Sequence, residues 1–267
     1  MTAATDPAPI TAIVDRDFSI SPSTQLRALA GRMLQSMVRQ GQLVVAFMQP
    51  VVFFVCFYVP LHKSLETPVV PYAQYLLPVI VVFAMFFVSM FSADMAAREV
   101  VGGMATRLRS MPVPPWVPVS ARATANLARA VAALLGALVI GTVFGFRFHS
   151  LPGAVVFLLL ALVFGIGLMI ATDALGTVTG NPQLGGTVLF VPQLLLLMTS
   201  TGFVRAEGFP GWIQPWVRNQ PISQLAAALR GLADDRYVPE VGVSIAWIVG
   251  IFVVGAIAAV RAEGRRA

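Results

Sequence analysis

Charge is what this 267-residue chain most lacks: 11% of its residues are Asp, Glu, Lys or Arg, against 57% hydrophobic, and the mean hydropathy is +0.81. Soluble domains carry about 25% charged residues, so a water-soluble globule is excluded and a polytopic membrane protein is expected. Lysine is almost missing, Lys63 being the only one. A single cysteine, Cys56, excludes an intramolecular disulfide and a cysteine-rich metal site. There is no GxxxxGK[ST] loop to cradle phosphates and no HExxH or GxSxG pattern, and the two histidines, His62 and His149, are isolated. No enzymatic activity, catalytic residue, metal or bound cofactor is expected of the chain itself. The net charge of +6 does not imply nucleic acid, because the arginines flank apolar runs instead of gathering on one polar face.

What is present is a series of apolar runs, at about 43–61, 75–92, 123–145, 153–174, 184–203 and 241–260. A hydrocarbon core of roughly 30 Å takes about 20 apolar residues as a helix, so these predict an all-α chain of six spans. Pro50, Pro78 and Pro192 predict kinks, which membrane helices tolerate when neighbours re-satisfy the backbone. No signal-peptide pattern opens the sequence, so the first run is expected to remain. Arginines concentrate in the segments before span one, between spans two and three and after span six, which predicts cytoplasmic N- and C-termini. The linkers are too short for a soluble domain. Residues 1–20 are expected to be a disordered cytoplasmic N-terminus and 261–267 a cytoplasmic C-terminus, around one membrane domain at 43–260.

Three elements do not span. Over 21–42, Pro22 after Ser21 starts a helix whose Leu26, Leu29, Ala30, Met33, Leu34, Met37 and Val38 recur at three- and four-residue steps, with Arg27, Arg32 and Arg39 off that stripe. This predicts an amphipathic helix on the inner membrane surface, as an anchor or a partner-docking face. Over 93–122, a short helix bearing Arg98, Glu99, Arg107, Leu108 and Arg109 is expected before PVPPWVP forces an extended return. A charged helix hung from two spans is a mechanical handle. Over 204–240, Phe209, Trp212 and Trp216 fall on one face of an expected short helix that ends near Arg218 and Pro221, and a second stripe follows from Ile222. Each helix is too short to cross, so the pair is expected to dip into the membrane and return, with the tryptophans at the interface. Ionisable residues within the spans are few: Arg129 in span three and Asp173 in span four, expected to pair or to snorkel to the inner interface.

RLRSMPVPP from Arg107, GFRFH from Gly145, GTVTGNP from Gly176 and FPGWIQPWVRNQPISQLAAALRGLA from Phe209, set in this six-span order, resemble the ABC-2 type exporter permeases. The likeness covers nearly the whole length and is strongest to the actinobacterial DrrB and DrrC group, which is associated with daunorubicin and doxorubicin resistance and, in mycobacteria, with export of the lipid phthiocerol dimycocerosate. The resemblance implies the type V exporter fold, with an extracytoplasmic re-entrant hairpin before the last span. It further implies a separate ABC ATPase in two copies that carries the ATP and Mg2+, and a second ABC-2 permease in a heterodimer. Arg98 through Arg109 would be the coupling helix gripped by the ATPase, although REVVGGMATRLR is more basic than the family's usual form. On that reading Phe53, Phe54, Phe57, Tyr58, Phe190 and Phe203 are candidate walls for a lipid or planar drug. An ion-coupled secondary transporter and a membrane scaffold are the rival expectations.

Overall fold

A computed structural model describes residues 21–65, 71–103, 114, 116–202, 206–236 and 239–264. The N-terminal stretch 1–20 and the last residues, 265–267, lie outside the described residues. Nine α-helices are described: α1 Pro22–Arg39, α2 Gln42–Leu65, α3 Tyr72–Val101, α4 Trp116–Val143, α5 Leu151–Thr179, α6 Pro182–Met198, α7 Gln214–Asn219, α8 Pro221–Ala233 and α9 Glu240–Gly264. Helix is the only conformation that satisfies every backbone group within its own segment in lipid. Among the described residues, α2, α3, α4, α5 and α9 are the five helices long and apolar enough to cross a membrane. The stretch expected as a fifth span is α6, 17 residues long with Pro192 inside it. At 1.5 Å per residue it reaches only about 25 Å, short of the roughly 30 Å core.

Helix directions follow from which residues meet. Gly165 lies against Met85 and Gly176 against Ala93, so α3 and α5 run parallel. Phe54 meets Phe144, placing α2 alongside α4. Gly167 faces Phe252 and Gly255 faces Ala171, so α9 runs parallel to α5 and ends beside it. The start of α2, the end of α3, the start of α4 and the ends of α5 and α9 therefore share one end of the bundle.

The core centres on α3, which packs on α2, α4, α5, α6 and α8. It is apolar all round, from Leu76 to Phe86 almost without interruption, and a helix of that kind belongs in the middle. In the apolar windows of α3 and α2, 78% and 17% of residues respectively are buried, so α2, like α9, presents most of its surface outward. Between helices, Gly136 lies against the Phe47 carbonyl and Gly176 against the Ala93 carbonyl, leaving no room for a side chain. Gly41 (φ +68°) turns the chain from α1 into α2 in the left-handed region that a side chain disfavours.

Candidate functional site

Charge concentrates at the two ends of the bundle. At the end where α3 leaves and α4 enters, Arg122 donates to Glu99 at 2.6 Å and to Asp173 at 3.2 Å, tying the starts and ends of α3, α4 and α5 with one guanidinium. Planar forked donors make arginine the residue for such a bridge. Asp173 is thus paired with Arg122, and among the described residues Arg129 pairs with no acid, so of the two expectations for Arg129 and Asp173, pairing or snorkelling, the mutual ion pair is not the one formed. Arg129 lies seven residues beyond Arg122, two turns deeper on the same face of α4. Its guanidinium donates to Asn126 Oδ1, Gln42 Oε1 and Met95 Sδ, each at 2.9 Å. Asn126 in turn donates to Ser92 at 2.8 Å.

Arg98 and Glu99 do not sit on a separate short helix. They belong to the last turns of α3, which continues through 93–101 because Asp94 pairs with Arg98 four residues on and Glu99 is held by Arg122. Of the other expected handle residues, Arg107, Leu108 and Arg109 lie outside the described residues. On α1, Arg27, Arg32 and Arg39 are exposed, while Ala30 and Met37 bury against α4, the helix that α1 chiefly packs on.

The expected aromatic wall divides. Phe54 is fully buried, against Tyr58 and Phe144, so it belongs to the core. Phe53 and Phe57 are half-buried; Phe53 meets Phe83 at 4.5 Å and Phe87 at 5.8 Å between ring centres. Phe190 on α6 is exposed. Phe203 lies outside the described residues.

At the opposite end, 206–236 form a 3-10 turn, Ala206–Gly208, followed by α7 and α8. Phe209 and Trp212 lie in turns and only Trp216 is helical, so the three do not share a helix face; Pro210 and Gly211 break the helix that their spacing suggested. Trp212 is 81% exposed and Trp216 also faces outward. Arg218 at the end of α7 pairs with Glu207 at 3.2 Å, and Pro221 begins α8. The α8 stripe of Ile222, Leu225, Ala226 and Leu229 is buried against α3, α5 and α9. Arg230 anchors the hairpin: Nε donates to the Tyr75 carbonyl at 3.0 Å, an Nη to the Gly202 carbonyl at 3.1 Å, and Cζ lies 3.7 Å from the Tyr75 ring centre. It therefore binds the Gly202 carbonyl just beyond the C-terminal end of α6, where a cation is favourable, to the Tyr75 carbonyl in the first turn of α3. Burial lowers its pKa from the ordinary arginine value and Tyr75 opposes the shift; an arginine remains a cation throughout. Gln74 closes the same layer, donating to Asp234 at 2.8 Å and to the Arg147 carbonyl at 3.0 Å.

Residues 57–261 match the family described as ABC-2 family transporter protein. The chain belongs to the ABC-2 transporter family. Its ABC-2 relatives include the doxorubicin resistance ABC transporter permease protein DrrB of Mycobacterium tuberculosis, 32% identical over 92% of this chain and 91% of that protein. The probable doxorubicin resistance permease DrrC of the same organism is 32% identical over 68% of this chain and 66% of its own length. The daunorubicin resistance permease DrrB1 of Streptomyces coeruleorubidus is 29% identical over 72% of this chain and 68% of its own. In this ABC-2 member, Arg122, Gln74 and Arg230 bind the bundle ends together and escaped sequence reasoning. Their one visible signal is polarity at the borders of apolar runs, which the positive-inside rule alone also accounts for.

Proposed function

We propose that this chain is the membrane-spanning permease subunit of an ATP-driven exporter that moves a hydrophobic drug or a lipid out of the cytoplasmic membrane. The observation that carries the reading is the near full-length likeness to a doxorubicin resistance permease, joined to a bundle of apolar helices whose charges sit at its two ends. Energy would come from a separate ABC ATPase, in two copies, holding ATP and Mg2+ and gripping the segment from Arg98 to Arg109 with α1 beside it. A second ABC-2 permease would complete the path as a heterodimer. We read α6 as a short fifth span and 206–236 as a re-entrant hairpin on the outer side, both termini being cytoplasmic. Phe53 and Phe57, half-buried on α2, and Phe190, exposed on α6, suit contact with cargo; Phe54 and Tyr58 serve packing.

The test is ATP-dependent doxorubicin uptake into inverted vesicles carrying the chain with its ATPase and second permease. Uptake that needs all three and stops when the ATPase phosphate loop is mutated supports the reading. Gradient-driven uptake by this chain alone would show a secondary transporter, and assembly without any nucleotide-dependent flux a scaffold. Loss of uptake in Trp212→Ala or Trp216→Ala complexes that assemble normally would place those rings on the cargo path.

A further inference from the structure

Arg129 is almost completely buried, yet the groups that hold it are neutral: the amides of Gln42 and Asn126 and the thioether of Met95. Its Nε has no partner among the described residues, and the Phe91 ring lies 5.8 Å from its Cζ. Arg122, two turns away, differs in holding two carboxylates. Separating an arginine from a carboxylate away from water strands two opposite charges. Separating it from Gln42 strands no carboxylate: the neutral amide at the membrane border rehydrates readily, and the arginine, still held by Asn126, can snorkel toward the surface. Arg122 is therefore a fixed joint and Arg129 a releasable one. Gln42 is the first residue of α2 and follows Gly41, the left-handed elbow after α1. Arg129 thus fastens that elbow, and through Asn126 and Ser92 the fastening reaches the Met169 carbonyl of α5.

We propose that Arg129 is a positioning residue that latches the α1–α2 elbow to the α3, α4 and α5 layer clamped by Arg122. Release of Gln42 lets α2, the least enclosed of these spans, swing when the segment between α3 and α4 is driven. The inference rests on the exporter reading. Its test uses the whole complex in vesicles, with Cys56→Ser and Val38→Cys placing one reactive thiol beside the elbow at an exposed site. The rate of labelling by a membrane-impermeant maleimide is compared with and without ATP and vanadate. With Arg129 intact, nucleotide changes the rate. Arg129→Gln holds the rate high and Gln42→Glu, which makes the latch an ion pair, holds it low, each on the order of tenfold from the other and neither responding to nucleotide; Arg129→Lys retains part of the response. ATP hydrolysis continues in both while doxorubicin uptake per ATP falls. An unchanged nucleotide response in Gln42→Glu or in Arg129→Gln overturns the latch; should Arg129→Gln fail to assemble, Gln42→Glu and Gln42→Leu decide alone. A rate that ignores nucleotide even with Arg129 and Gln42 intact also overturns it, and ATP-independent uptake in that same complex would take the exporter reading down as well.

Discussion

Replacing Arg122 with Gln removes the one cation that, among the described residues, bridges Glu99 and Asp173. Each carboxylate lies within 3.2 Å of the guanidinium, and each side chain is only 21% exposed. Breaking a fully buried pair from one side costs about 3–5 kcal/mol. Partial access to water and headgroups recovers some of this, so the expected loss is about 2–3 kcal/mol, roughly a 30- to 150-fold shift in the folding equilibrium. Most of it comes from the two stranded acids, now facing each other, and less from the lost hydrogen bonds. The triple variant Arg122→Gln, Glu99→Gln, Asp173→Asn should therefore be more stable than Arg122→Gln alone, although it keeps no ion pair. Arg122→Lys should fall between them and the unaltered protein, because an ammonium keeps the charge but loses the fork. Reversible unfolding in mixed micelles of rising SDS content, followed by circular dichroism, measures all four. A triple variant no more stable than the single one, or an Arg122→Gln protein as stable as the original, would refute the electrostatic account of this clamp.

Gly176→Leu sets a side chain against the Ala93 backbone, which has nowhere to go, and should cost at least the ~1–3 kcal/mol of ordinary overpacking; Gly31→Leu, inside α1 with nothing within 4 Å of its added carbon, should cost nothing and raise stability slightly, by up to about 1 kcal/mol of helix propensity. Phe54→Ala should destabilise toward the low end of the ~3–5 kcal/mol range for aromatic truncation, because lipid already supplies an apolar alternative, and Trp212→Ala should stay within about 0.5 kcal/mol; parallel SDS titrations separate the two. Arg230→Met leaves the Tyr75 and Gly202 carbonyls without their cation, so amide exchange across 206–236 should speed up by about tenfold while α3 stays protected.

Hydropathy and helix periodicity carry the parts of this fold that depend on single segments. The long apolar runs become helices, and the α8 stripe could be read from Ile222, Leu225, Ala226 and Leu229 because one face of one helix buries them. Pairings between segments are another matter. That Asp173 meets Arg122 and leaves Arg129 to amides depends on how α3, α4 and α5 align, and both arginines lie on the same face of α4, two turns apart. Likewise, α2 and α3 are both long and apolar, and although the unbroken run from Leu76 to Phe86 suits a central helix, which neighbours enclose it is decided by packing. The polar Asp94, Arg98 and Glu99 end the apolar run and so suggest a separate short helix, whereas the i,i+4 pairing of Asp94 with Arg98 and the Arg122 contact with Glu99 carry α3 on through them. Arg230 is not legible in the sequence because its partners are backbone carbonyls, which carry no sequence mark.

The placement of α3 has a kinematic consequence. One end is pinned by Arg122 through Glu99 and the other by Arg230 through the Tyr75 carbonyl, and other helices enclose its length. A rod fixed at both ends and crowded on its flanks has no sliding or rolling freedom of its own; it behaves as a stator. Any alternation of access in the proposed exporter must then be carried by parts with free sides, α2, α6 and α9, or by the whole bundle tilting as one body. Distances measured from α3 to α4 and α5 should stay constant through a turnover, and distances from α3 to α2 should not.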